Sequence, residues 1–298
     1  GILIAGGGWE NIMGTIRTNH PQMLEPLSGG TMPVSLYFTQ WLLVGVFTFA
    51  LPQSVVRCMG YKDTKSLRGA MIGGTIIIGA MMIGVTTLGV LSAGVLTGDL
   101  ASYGGSVDNI IPRTIVETLP PWLAGVAIVG PVAASISTVS SLLIASSSAI
   151  IKDLWLHYAE DKGQQVSDAV VARSSQIITL GVGVIVFVLA VVPPSVIWKI
   201  NMFAFGGLET AFCWVLVGAL FFKRANKVGA IASMVGGTAV YCVCMALGFK
   251  LFGLHQIVIG ITVSLLCMAI GSWLGNRRAN AADAAADAEM REVFFPEA

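Results

Sequence analysis

Charge is what this sequence has least of. Only 11% of its 298 residues are Asp, Glu, Lys or Arg, against about a quarter in a soluble domain. A chain so poor in charge cannot wet its whole surface, which excludes a freestanding water-soluble globule. Cysteine is also sparse. The five at 58, 213, 242, 244 and 267 form no CxxC pair and no zinc spacing, so neither a disulfide framework nor a structural zinc site is expected. They read as small buried hydrophobes. The three histidines, His20, His157 and His255, fall in loops or at span ends, and none stands with a serine or carboxylate in a catalytic pattern. An enzyme is therefore not expected. No basic patch interleaved with aromatics suggests nucleic acid, and no cofactor motif is visible. With a net charge of +1, no strongly charged partner is implied either.

What is abundant is apolar sequence: 55% of residues, with a mean hydropathy of +0.81. About 20 apolar residues of helix cross the ~30 Å hydrocarbon core of a bilayer. Seven blocks reach that length: 36–56, 69–96, 121–151, 173–192, 196–222, 228–252 and 255–275. Residues 1–8 read as the tail of an eighth. No signal-peptide region precedes them, and the chain reads as part of a longer protein. The expected class is an all-α integral membrane protein. Lys and Arg fix its orientation. With the C-terminus in the cytoplasm, thirteen of the seventeen basic residues fall inside. Only Arg17, Arg113, Lys199 and Lys250 fall outside, a positive-inside bias. It places 9–35 and 97–120 outside. Residues 155–170 become a polar cytoplasmic loop, and 276–298 a cytoplasmic tail. Asp108 or Asn109 is expected to cap a short external helix beginning at Ile110.

Three features stand out within the spans. Block 36–56 contains Gly45 and then Leu51-Pro52-Gln53, where proline removes a backbone donor. A break at mid-depth points to a transporter's binding site; a simple kink is the alternative. Block 121–151 carries Ala134, Ser137, Thr138, Ser141, Ala145 and Ser148 at helical steps. Such a stripe serves close packing, but the adjacent Ser137 and Thr138 also offer hard oxygens suited to an alkali cation. Glu209 is the one acid inside any block. Burying it costs at least ~2.5 kcal/mol. It is either protonated or paired with backbone N–H groups, a bound cation or another part of the protein.

The run Ala219 to Gly237, ALFFKRANKVGAIASMVGG, is similar to the second signature of the sodium:solute symporter family. Leu51-Pro52-Gln53-Ser54-Val55-Val56-Arg57 resembles that family's break after the first helix of its second repeat, with Gln53 where His is more usual. Ser137-Thr138 resembles its sodium-site hydroxyls, with Ala134 supplying a carbonyl, and Ser147 to Leu154 resembles the end of the same helix. The wording of Val56 to Asp63, Leu119 to Pro121 and Phe205 to Glu209 resembles the pantothenate-carrying members. The resemblance implies a LeuT-type inverted-repeat fold. The second five-helix repeat would occupy 36–222 and two peripheral helices 223–275, with the N-terminal half of the transporter lying outside the chain. It implies sodium-coupled uptake of a small organic anion, pantothenate, across a bacterial inner membrane, with Na+ as coupling ion. The implied sodium ligands are Ala134, Ser137 and Thr138; Pro52, Gln53 and Glu209 are candidates along the substrate path. Another solute, such as proline or a monocarboxylate, is the alternative within this class, and a seven-helix receptor is the alternative outside it.

Overall fold

The computed structural model describes residues 1–58, 60–96, 105–164, 166–191, 193 and 195–278. The tail expected over 276–298 lies outside the described residues from 279 onward, as does the stretch 97–104 of the expected external loop. Every regular element among the described residues is helical. In chain order these are α1 (Ile2–Ala5), α2 (Trp9–Asn19), α3 (Val34–Trp41), α4 (Pro52–Cys58), α5 (Thr64–Ser92) and α6 (Ile110–Thr118). They are followed by α7 (Pro121–Ser148), α8 (His157–Asp161), α9 (Asp168–Val191), α10 (Ile197–Phe221), α11 (Lys227–Ala246) and α12 (Gln256–Arg278). Among the described residues six helical stretches, carried by α5, α7–α8, α9, α10, α11 and α12, are long and apolar enough to cross a membrane. The chain is thus a multi-pass membrane protein.

The seventh block, 36–56, takes a different form. α3 passes into a π-helical turn at Leu42–Val46 and a 3₁₀ turn at Phe47–Ala50. Leu51 is then extended, at φ −66° and ψ 129°, and Pro52 opens α4. The carbonyl of Leu51 accepts the first bonds of α4, from the amides of Ser54 at 2.8 Å and Val55 at 3.1 Å. Pro52 has no amide to contribute, which suits it to the first turn of a helix. The break is buried, with Ala50 at 0% and Leu51 at 2% exposure. Residues 155–170, expected as a polar loop, are partly helical. A π-helical segment, Ala149–Leu156, carries α7 onward into α8, so helix persists to Asp161.

The chain forms two compact units. The first joins Gly1–Asn19 to Thr87–Ile197. Its small core is Ile12, Ile16 and Leu91. Gly94 is needed here, because a Cβ would lie 2.6 Å from Ile12 Cγ2 and 2.8 Å from the Ile12 carbonyl oxygen. α7 and α9 pack side by side, with the Thr179 hydroxyl donating to Ser147 Oγ at 2.8 Å. Asp108 does not cap α6. Its carboxylate instead accepts from the amide of Ile197 at 3.1 Å, where α10 begins and amides lack helical partners.

The second unit joins His20–Thr86 to Trp198–Ala298. Asp63 caps α5 by accepting from the amide of Ser66 at 2.6 Å, and this bond holds its carboxyl below the usual carboxylate range. The tightest contact in this unit is between α11 and α12. The Cα of Gly229 lies 2.9 Å from where a Cβ on Gly271 would sit, so two backbones meet with no side chain between them. Asn226 fixes the entry to this seam. Its Oδ1 accepts from the Gly229 amide at 2.9 Å, while its Nδ2 donates to the Ser272 carbonyl at 2.8 Å and to Asn276 Oδ1 at 2.9 Å. One side chain thereby caps α11 and anchors α12. Asn226→Ala in the full-length protein is expected to cost about 1–2 kcal/mol, the upper part of the range for losing a cap. A lowered unfolding midpoint in detergent would show it, and an unchanged midpoint would refute it.

Candidate functional site

The residues singled out from sequence fall in two places. Ala134, Ser137 and Thr138 lie on consecutive turns of α7, in the first unit. All three are exposed, as is every residue from 131 to 140. Among the described residues of the first unit, none buries that face. The Thr138 hydroxyl donates to the Ala134 carbonyl at 3.0 Å, and Ser141 donates in the same way to the Ser137 carbonyl at 2.9 Å. Bonding back by one turn costs these hydroxyls nothing in packing, because serine and threonine reach the i−4 carbonyl easily. It also leaves the oxygen lone pairs turned outward, since a hydroxyl that donates its proton keeps its acceptor sites. Ala134's carbonyl is engaged by this bond, so the Thr138 hydroxyl must turn before that carbonyl can serve a cation fully. Nearer the end of α7, a cleft between α7 and α9 is lined by Ile144, Ser147, Lys152, Ser175, Gln176 and Thr179.

Pro52, Gln53 and Glu209 lie in the second unit. Pro52 and Gln53 are half-buried at the restart of the broken segment. Ala50, just before them, shares one apolar core with Leu43, Met202, Cys213, Tyr241, Ile257 and Ile261. Glu209 is on α10, one turn before Cys213, and is fully buried.

Around Glu209 the polar atoms that have partners are matched to one another. Thr210 donates to the carbonyl of Gly206 at 2.8 Å, and Ser264 of α12 donates to the carbonyl of Thr210 at 2.8 Å. Ser233 of α11 and Ser264 are paired at 2.8 Å. Tyr241 of α11 donates to the carbonyl of Met202 at 2.8 Å. Its ring lies over Gly206, where a Cβ would stand 2.3 Å from the phenol oxygen. Any residue but glycine at 206 would expel the tyrosine. Tyr241 and Ser264 were not singled out from the sequence. The available signal was a tyrosine and a serine inside otherwise apolar helices, where each hydroxyl must find a partner.

Comparison with known proteins agrees with the sequence resemblance. Residues 1–237 match the sodium:solute symporter family. The chain is 35% identical over 279 residues to the sodium/pantothenate symporter of Haemophilus influenzae, which covers 93% of this chain and 56% of that protein. It is also 35% identical over 276 residues to the sodium/pantothenate symporter of Escherichia coli, covering 92% of this chain and 56% of that protein. The osmoregulated proline transporter OpuE of Bacillus subtilis is more distant, at 26% over 277 residues, covering 92% of this chain and 55% of that protein. The chain thus spans about half the length of these relatives. No solved structure matches it.

Proposed function

Because the chain belongs to the sodium:solute symporter family, we propose that it is part of a secondary transporter that couples Na+ entry to uptake of a small organic anion, pantothenate. The observation that carries this reading is the 35% identity to sodium/pantothenate symporters across 93% of the chain, against 26% for a proline transporter. Proline is the second reading, supported by that lower identity.

In the proposed protein Na+ binds the hydroxyl oxygens of Ser137 and Thr138 and the Ala134 carbonyl, with the remaining ligands supplied by the N-terminal half of the same transporter. The exposed face of α7 over 131–140 and the half-length match to the relatives support that completion. Pro52 and Gln53 lie on the substrate path, because the break before them interrupts a helix inside the protein rather than at its lipid surface. Non-helical backbone is tolerated at membrane depth only where it is buried or lines a cavity. Glu209 lies on α10, whose Met202 and Cys213 share a core with Ala50 just before the break. The fold is the LeuT-type repeat, with the second repeat in 36–222 and two peripheral helices in 223–275. The protein sits in a bacterial inner membrane with its C-terminus in the cytoplasm, where Lys223, Arg224 and Lys227 follow the positive-inside rule.

Coupling requires that each ligand bind the outward-open and inward-open states unequally. Na+ at Ser137 and Thr138 supplies the inequality if it favours the outward-open form. Cells carrying the full-length protein are expected to take up labelled pantothenate only with Na+ outside, and excess proline is expected not to compete. Uptake that persists when K+ replaces Na+, or that proline abolishes, would overturn the reading.

A further inference from the structure

Met202, Gly206, Glu209 and Cys213 are all buried. Steps of four, three and four place them on one face of α10. That face packs into the core formed with Leu43, Ala50, Tyr241, Ile257 and Ile261. Glu209 is at 0% exposure there, and neither of its carboxyl oxygens has a hydrogen-bond partner among the described residues. Buried polar groups are otherwise satisfied almost without exception, so an orphaned carboxyl asks for an explanation.

Two explanations fail on the neighbours. An ion pair would need a cation, and the ionisable groups on the surrounding elements are Cys213 on α10 itself, Tyr241, Cys242 and Cys244 on α11, and Cys267 on α12. The break segment 42–51 carries none. The basic residues of these helices, Lys199, Lys227, Arg277 and Arg278, stand near helix ends, and His255 and Lys250 precede α12. A sodium ion would need several oxygens converging beside the carboxylate, and among the described residues no hydroxyl pairs with either Glu209 oxygen: those of Thr210, Tyr241 and Ser264 are turned to the carbonyls of Gly206, Met202 and Thr210. A carboxylate ion without a partner is among the least tolerated buried groups; the neutral acid is tolerated far better.

We propose that Glu209 is a proton-binding site. Its carboxylate takes a proton from hydronium as α10, α11 and α12 close around it, forming an O–H bond and leaving water. It returns that proton when water re-enters the seam. Uptake then depends on proton concentration at a place separate from the sodium ligands on α7. The uptake readout rests on the proposed function; the spectroscopic one does not.

The test uses purified full-length protein, wild type against Glu209→Gln. Infrared spectra at neutral pH are expected to show the carbonyl stretch of an un-ionised carboxylic acid in the wild type and to lose it in the variant. Sodium-driven pantothenate uptake into vesicles, normalised for each protein to its own neutral-pH value, is expected to fall several-fold toward alkaline pH in the wild type. The variant's profile is expected to be flat, since an amide does not titrate in this range. Absence of the neutral-acid band, or superimposable uptake profiles, would overturn the proposal. Should the variant not be recovered, the wild-type band alone decides. Its disappearance as pH is raised supports the proposal, and its persistence at every pH that leaves the protein folded overturns it. Failure of pantothenate uptake would leave the infrared outcome standing, so the two readings fail separately.

Discussion

Replacing Ser137 and Thr138 together by Ala in the full-length transporter is expected to raise the Na+ concentration for half-maximal uptake by at least about tenfold. A hydrogen bond or ligand contact to a charged group contributes roughly 1.5–3 kcal/mol, and 1.4 kcal/mol already corresponds to a factor of ten in affinity. In the proposed site two contacts are removed while the helix is kept, because alanine is the strongest helix former and the Thr138 hydroxyl bonds back to Ala134 within the same helix. The single change Thr138→Ala also frees the Ala134 carbonyl, which accepts from that hydroxyl at 3.0 Å. Its effect should therefore be smaller than that of Ser137→Ala, since one ligand is lost as another is released. Sodium titration of uptake at fixed pantothenate measures all three variants. An unchanged sodium requirement in the double variant would return the stripe to a packing role.

Gly229→Val is expected to be the most damaging change in the second unit. A Cβ at 229 would lie 2.0 Å from Ser272 Oγ and 2.8 Å from both the Met268 carbonyl oxygen and the Ser272 amide nitrogen. Two of those three atoms are backbone and cannot turn away. α11 and α12 would have to separate, pulling Asn226 from Ser272 and Ser233 from Ser264. Overpacking of a filled interior costs about 1–3 kcal/mol, occasionally more, and a backbone-on-backbone contact belongs at the upper end. The full-length variant is expected to lose most of its membrane abundance and to unfold earlier in detergent. Gly207→Ala is the control, because nothing lies within 4 Å of a Cβ placed there. Comparable losses for both would show that helix approach at 229 is not the cause.

The membrane class was legible because hydropathy sums over twenty residues, and no local detail alters that sum. The break at Pro52 was legible for a different reason, since proline carries its own steric rule. Its form was not. Hydropathy reports side-chain transfer and is silent on backbone hydrogen bonding, so nothing in LLVGVFTFA announces a π turn followed by a 3₁₀ turn. The same limit hid the helical continuation to Asp161, where the polar stretch from 155 suggested a loop but follows a π-helical winding that carries the helix onward. Asp108 or Asn109 was expected as the cap from position in the chain; Asn109 occupies the cap position, whereas the structure turns Asp108 to Ile197, 89 residues on. The close approaches at Gly229 and Gly237 were foreseeable from residue size. That neither carboxyl oxygen of Glu209 has a hydrogen-bond partner among the described residues was not foreseeable, because hydrogen bonding is a property of the surroundings and the sequence names only the residue.

The two irregular turns before Leu51 carry a geometric consequence. A π turn is wider than an α turn and a 3₁₀ turn is tighter, so the first delays the rotation of side chains about the axis and the second advances it. Placed in succession they nearly cancel. Leu43 and Ala50, seven residues apart on either side of the change in winding, are both at 0% exposure in the same core, as they would be on two turns of unbroken helix. The segment thereby interrupts its backbone ladder without changing the direction in which it presents its apolar edge. Irregularity of pitch has been separated from irregularity of phase, and only the first is present in this segment.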